Sequence, residues 1–445
     1  MKLLTKPQYL LVLFLSVALI SACNGGDRHR NRADPNLRQF EGAKLVVLTN
    51  KHPWVDLISP RIANFSVITG IDVSLEVYPE EQFRIKRKVE MLSGISKVDL
   101  FMLMPGNSLD AYIKNDWVEA LSPYLEDPFY SWPDYDFEDI FDTARKVGIR
   151  GEESYSLPIM LETSLLAYNK KILHKMGLSI PETMEELEDT AKAVFEGSNH
   201  QIYGITMRGK RVAATSQWID FVHSFGGDWL TNEGKAALHT SKVLEATRYY
   251  GRLLRSYGPA SAPSNGWYES TSLFMQEKAA MIYDANVFNT HYENPDVSQV
   301  AGNVGYVMIP AGPAGSVSHV SSWGLSLYKG SEHKGAALYF MQWATGKENS
   351  FTGLQKGIPA ARKSAWQSLS GETEGLSEEW ISASLESYNN ALINWNPPIP
   401  DINKGRDIVS RVIIASILNR DLEQAAHSSS NLLNQLIEDE NRIQK

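Results

Sequence analysis

The chain has 445 residues, 43% of them hydrophobic and 21% charged, with a formal net charge of −9. That length exceeds a single comfortable core, so two lobes are expected. An acidic chain without a basic tract excludes nucleic acid as a partner, and a single cysteine excludes an internal disulfide.

Lys2 and Lys6 open the chain, and residues 10–20 form an apolar run interrupted only by Ser16. A charged start, a short apolar stretch and small residues behind it predict an export signal over residues 1–22. The run is too short to span a bilayer, which needs roughly 20 apolar residues. The sole cysteine, Cys23, follows Ser21 and Ala22, and this arrangement resembles the lipobox of bacterial lipoproteins. The resemblance implies cleavage before Cys23, lipid on Cys23, and an exported protein anchored to a bacterial membrane. Residues 23–42 are polar and read as a flexible tether.

Residues 44–49 (KLVVLT) predict a first strand, 60–69 a helix capped by Gly70, and 71–78 an alternating strand closed by Pro79. A helix follows over 80–92 and a third apolar strand over 98–104. Strand, helix, strand, helix, strand at this spacing predicts a parallel sheet. Ligands of such sheets sit beyond the carboxyl ends of the strands, which points to residues 49–53, 78–80 and 104–107, with Asn50, His52 and Glu80 as candidates among them.

The middle of the chain reads as an extended stretch over 156–168, helices over 181–195, 215–225 and 242–257, and strands over 203–207 and 279–284. Strands are expected at 305–310 and 325–328, a helix at 334–343, and a mainly helical tail from Glu378 broken at 394–400. No later segment is long and apolar enough to span a membrane.

Several segments together resemble one family. They are residues 157–170 (LPIMLETSLLAYNK), 203–209 (YGITMRG), 225–229 (FGGDW), 257–259 (YGP), 267–269 (WYE), 274–284 (FMQEKAAMIYD), 300–313 (VAGNVGYVMIPAGP), 322–324 (SWG) and 357–362 (GIPAAR). In series they resemble the extracellular solute-binding proteins of family 1, the group of maltose-binding protein, and within it the binders of sugars and sugar alcohols. Glu277 and Ser322 stand where glycine is usual. The resemblance implies an α/β, two-lobed, type II periplasmic-binding-protein fold with three hinge crossings, near 159–163, 307–311 and 359–364. It places residues 43–160 and 311–362 in one lobe and 161–310 and 363–445 in the other. It also implies a monomer that hands a carbohydrate or polyol to the permease subunits of an ABC importer, with neither cofactor nor metal.

A sugar offers hydroxyls and apolar C–H faces, so its site needs aromatic platforms and polar forks. Trp267 sits in a turn composition before a helix, Trp323 beside a crossing, and Trp395 in an Asn-Trp-Asn-Pro-Pro loop. Trp218 reads equally as cleft or helix core. Glu162 interrupts an apolar stretch at the hinge, where a carboxylate needs a partner. Arg208 follows a strand, Asp284 ends one, Glu269 lies in the aromatic loop and Arg362 closes the last motif. Asn50, Glu80, Glu162, Arg208, Trp267, Glu269, Asp284, Trp323, Arg362 and Trp395 are therefore the expected ligand residues. The sequence lacks H-E-x-x-H, G-x-G-x-x-G and G-x-S-x-G. Residues 204–210 read G-x-x-x-x-G-K, but Arg211 replaces the Ser or Thr that would hold magnesium, and no catalytic residue is expected. A sensor or adhesin uncoupled from transport, and a glycoside hydrolase with two carboxylates across a cleft, are the alternatives.

Overall fold

A computed structural model describes residues 35–443, apart from residues 95, 370–374, 390, 394 and 400. The leader, Cys23 and most of the tether lie outside the described residues.

Two mixed sheets organise the chain. The first has the order Asp72–Tyr78, Lys44–Asn50, Leu100–Leu103, Gly324–Leu327, Leu157–Pro158. Its first three strands are parallel, and Gly324–Leu327 runs antiparallel to Leu100–Leu103. The apolar runs of the sequence become the central strands, with Val47, Leu48 and Leu100 inaccessible to water. Helices Glu80–Ser93, Pro105–Lys114 and Lys334–Ala344 pack on this sheet through Phe83, Leu109 and Phe340. Gly70, at φ 71°, ends the helix Ile62–Thr69 in the left-handed region that glycine adopts without strain.

The second sheet has the order Val304–Val307, Glu162–Asn169, Ala279–Ala285, Tyr203–Thr206. Its long strand Glu162–Asn169 is covered on both faces. Leu166 and Tyr168 point into one core with Trp218, Phe221 and Ile413; Leu165 and Ala167 point into another with Phe274, Trp366 and Trp380. Sheet faces of this kind bury side chains worth about 1.5–3 kcal/mol each. The helix Met184–Gly197 starts on a capping box formed by Thr183 and Glu186, and Asn169 caps Lys170–Met176. Trp218 is core: its indole N–H donates to Thr247 Oγ1 at 2.9 Å.

The crossings between sheets lie side by side. Ile159 N donates to Trp323 O at 2.9 Å, and Leu161 N to Pro359 O at 3.1 Å. Ser322 Oγ donates to Met160 O at 2.9 Å, which ties the first crossing to the second. The second crossing falls later than the expected 307–311. Ala311 pairs with Thr183, the His319 amide donates to Asp220, and Val320–Ser321 pairs with Glu162 and Thr163. Residues 311–321 therefore pack with the second sheet, and the chain changes sheets at Ser322 and Trp323. The reason is the buried Asp220 carboxylate, which accepts from the His319 amide and imidazole and from Tyr283 Oη and so holds this segment back.

Candidate functional site

A cleft of about 640 Å³ opens where the two sheets face each other. Its walls are built from strand ends. Asn50 and His52 follow Lys44–Asn50, Glu80 follows Asp72–Tyr78, and Met104 follows Leu100–Leu103. From the other side come Glu162 at the start of its strand, Arg208 after Tyr203–Thr206, and Phe288 after Ala279–Ala285. Parallel strands put their carboxyl ends on one edge, so the chemistry collects there.

Trp267 is the first residue of the helix Trp267–Met275 and lines the cleft. Its ring lies parallel to that of Phe288, 12° from coplanar with centroids 5.2 Å apart. The Arg208 guanidinium lies 5.8 Å from the Phe288 centroid. These rings form an apolar platform beside a cation, suited to a C–H face with flanking hydroxyls. Trp323 is only 5% exposed. It lines the opposite wall and packs 6.1 Å from the His52 ring.

Arg208 is held rigidly. Its Nε donates to Asp284 Oδ2 at 3.1 Å and its Nη2 to Asp284 Oδ1. Asp284 is buried behind Arg208 rather than on the cleft wall, so it positions the guanidinium. Burial opposes the Arg208 charge, but Asp284, Glu162 and Glu80 outweigh it and raise the pKa. Glu80 pairs with Arg84 at 2.6 Å. Burial pushes its carboxyl up, yet Arg84, Arg208 and His52 together pull it below the usual range. His52 is neutral, its pKa lowered to about 4 by burial despite Glu80, and its Nδ1 accepts from Trp54 N at 3.1 Å.

Glu162 behaves differently. Burial, reinforced by Glu80 and Asp284, pushes its carboxyl up to about 8 against the pull of Arg208. Its side chain has no hydrogen-bond partner among the described residues. At neutral pH it is a protonated acid, able both to donate to and accept from a hydroxyl. The Oδ1 of Asn50 is buried and unpartnered on the same cleft.

Besides Asp284, three expected residues lie off the cleft wall. Glu269 Oε2 accepts from Gly266 N at 2.8 Å and caps its own helix. Arg362 is fully buried at the hinge, donating to Thr345 O at 2.7 Å, Asp136 O at 2.6 Å and Asp139 Oδ2 at 3.2 Å. Trp395 is buried against His319, and its carbonyl accepts from Trp229 Nε1 at 3.0 Å. The near-phosphate-loop residues Gly209 and Lys210 donate their amides to Asn265 O, within the fold. The sequence reading missed Phe288 and His291, which line the cleft. A Gly266-x-x-Glu269 spacing at a helix start was the available signal for the cap.

Among the described residues no cluster of His, Cys, Asp and Glu could hold a metal ion, and no helix is long and apolar enough to cross a membrane. A family model described as bacterial extracellular solute-binding protein matches residues 62–350. The chain belongs to this family. An erythritol/L-threitol-binding protein of Mycolicibacterium smegmatis is 27% identical over 439 residues, covering 89% of this chain and 91% of its own length. A mannitol-binding protein of Pseudomonas aeruginosa is 29% identical over 48% of this chain and 50% of its own. An ABC-transporter solute-binding protein of Agrobacterium vitis S4, solved with D-mannitol, superposes with a TM-score of 0.78 at 23% identity, over 89% of this chain and 99% of its own. Its counterpart from Agrobacterium radiobacter K84, solved with ribitol, gives 0.79 at 22% identity over the same shares. The expected two-lobed fold is the fold of these neighbours, and the family is one of solute binders rather than enzymes.

Proposed function

We propose that this protein captures a polyol, sugar alcohol or small sugar in the interlobe cleft and delivers it to the permease of an ABC importer. The observation that carries the reading is the meeting of the Trp267–Phe288 platform with Arg208, Glu80 and Glu162 on one cleft. The relatives named for erythritol, threitol and mannitol support it. Asn50 and Trp323 complete the ligand-facing set, and Asp284 acts through Arg208. The protein works as an exported monomer tied to a membrane by lipid on Cys23, and it returns its ligand chemically unchanged.

A thermal-shift screen of alditols and monosaccharides tests the reading, because a ligand that binds only the native state raises the melting temperature. At least one alditol is expected to do so and to be recovered intact afterwards. No shift with any of them overturns the site, and turnover to a product moves the protein to the hydrolases. Mass spectrometry of the membrane-associated protein is expected to find acylated Cys23 at the N-terminus; a free thiol there removes the anchor.

A further inference from the structure

The short helix Pro53–Ile58 starts on a cap that helix starts rarely use. Its N-cap residue is His52, whose Nδ1 accepts from Trp54 N at 3.1 Å. Ser, Thr, Asp and Asn are preferred here, because a short side chain accepts the same bond. An imidazole does that work with one nitrogen and keeps a second one free.

The second nitrogen is chemically defined. A backbone N–H can only donate, so Nδ1 presents a lone pair and the proton of the neutral ring sits on Nε2. Nε2 has no hydrogen-bond partner among the described residues, and His52 lines the cleft. The ring is held by the cap bond and lies 6.1 Å from the Trp323 ring, tilted 56° to it. Burial lowers its pKa to about 4 against the pull of Glu80, and His291 in the helix Asn289–Tyr292 adds to the lowering. Lys51, Asp56 and Lys356 line the same cleft and leave the ring neutral.

The rest of this wall offers acceptors. Glu80 is a carboxylate, and the buried Oδ1 of Asn50 has no partner. The Asn50 amide nitrogen is turned to Lys51 O at 3.4 Å, and Lys51 itself is exposed. A hydroxyl both accepts and donates, so a wall of acceptors needs one fixed donor. We propose that His52 is a ligand-binding residue whose Nε2–H donates to a hydroxyl oxygen of the ligand, while the hydrogen of that hydroxyl turns to the acceptors beside it. The proposal rests on the reading of the cleft as a polyol and sugar site. One ring then caps a helix and reads a ligand, and it does both only in this tautomer. An imidazolium would set an Nδ1–H against the Trp54 N–H.

Titration calorimetry of the full chain with erythritol, ribitol and D-mannitol reads the ligand side, and nitrogen NMR of labelled imidazoles reads the tautomer. In His52→Asn the amide oxygen keeps the cap, but nothing reaches the place of Nε2. In His52→Gln the amide nitrogen reaches that place, but the cap is lost. The tightest of the three alditols is expected to bind His52→Asn about tenfold more weakly at pH 7, with a nearly unchanged melting temperature. His52→Gln is expected to melt lower and to recover part of that affinity. In the wild-type chain His52 is expected to show a bare Nδ1 and a protonated Nε2 from pH 7 down to 5.5, with the Nε2 signal moved by the alditol. A His52→Asn variant that binds as tightly as wild type, a proton on Nδ1, or equal losses of affinity and stability in both variants overturns the proposal. If neither variant folds, the wild-type spectrum decides. No binding of any of the three alditols overturns the underlying reading of the cleft instead.

Discussion

Glu162 keeps its proton up to about pH 8 in the folded protein, whereas its unperturbed value is 4.5. Between those values the native state holds a proton that the unfolded chain has lost, so this group makes stability fall as pH rises from about 4.5 to 8. The same group sets the pH profile of binding. Alditol affinity is expected to hold from pH 6 to 7 and to drop above pH 8, as a third carboxylate appears beside Glu80 and Asp284. Glu162→Gln, a neutral isostere, is expected to bind at pH 7 and to lose that pH dependence; calorimetry from pH 6 to 9 checks both. The tryptophans divide by surroundings. Trp267→Ala removes a cleft platform and is expected to weaken binding by about 1–3 kcal/mol while leaving the melting temperature nearly unchanged. Trp395→Ala removes a core ring, 4% exposed, and is expected to destabilise the fold by about 3–5 kcal/mol in chemical denaturation. The sequence could not separate the two, because both sit in turn-like contexts, Trp267 after Asn265-Gly266 and Trp395 between asparagines and before Pro397-Pro398. It also could not raise Phe288 above other phenylalanines, since its value comes from a parallel partner 21 positions away in the chain. Arg208 was legible because a guanidinium directly after an apolar strand has few places to go except a strand-end cleft.

At the level of elements, the apolar runs and their punctuation were readable. The strands expected at 44–49 and 279–284 extend by one residue each, to Lys44–Asn50 and Ala279–Ala285. Helix starts drifted more: the one expected at 215 begins at Arg211, a residue held at φ 37°. The second crossing was displaced because its position depends on Asp220, roughly a hundred residues upstream, and no local pattern encodes that grip. Glu277 stands where the family usually has glycine, and it takes φ 53° between the helix Trp267–Met275 and the strand Ala279–Ala285. An L side chain in that region is disfavoured by about 1–2 kcal/mol. Its carboxylate contacts are long, 3.4 Å from Asn169 Nδ2 and 3.9 Å from Lys171 Nζ. Glu277→Gly is therefore expected to raise stability by about 0.5–1 kcal/mol, read as a shifted denaturation midpoint at constant slope. A lower midpoint means that the weak contacts of Glu277 outweigh the backbone.

For the whole molecule, three neighbouring crossings define one axis about which the lobes can rotate. Cleft-lining groups come from both sides of it: Asn50 and Glu80 from one sheet, Glu162 and Arg208 from the other. A ligand touching both sets binds the closed arrangement better than the open one and shifts the population by that difference. Small-angle scattering is expected to give a smaller radius of gyration with saturating ligand than without. Verified binding with no compaction rules out closure as the response. Two-lobed architecture was legible from length and motif order; the meeting surface of the lobes was not, because it joins residues near 106 to residues near 396.

That meeting surface also governs time. The Asn396 amide donates to Gly106 O and Asn107 Oδ1, across from the first sheet, so a rotation that separates the lobes is expected to break both bonds. Asn396→Ala should therefore shorten the residence time of a captured ligand and leave its association rate nearly untouched. A protein that captures a solute for delivery has to let go as well as hold, and the Asn396 contact is expected to act as a clasp that lengthens the wait before release.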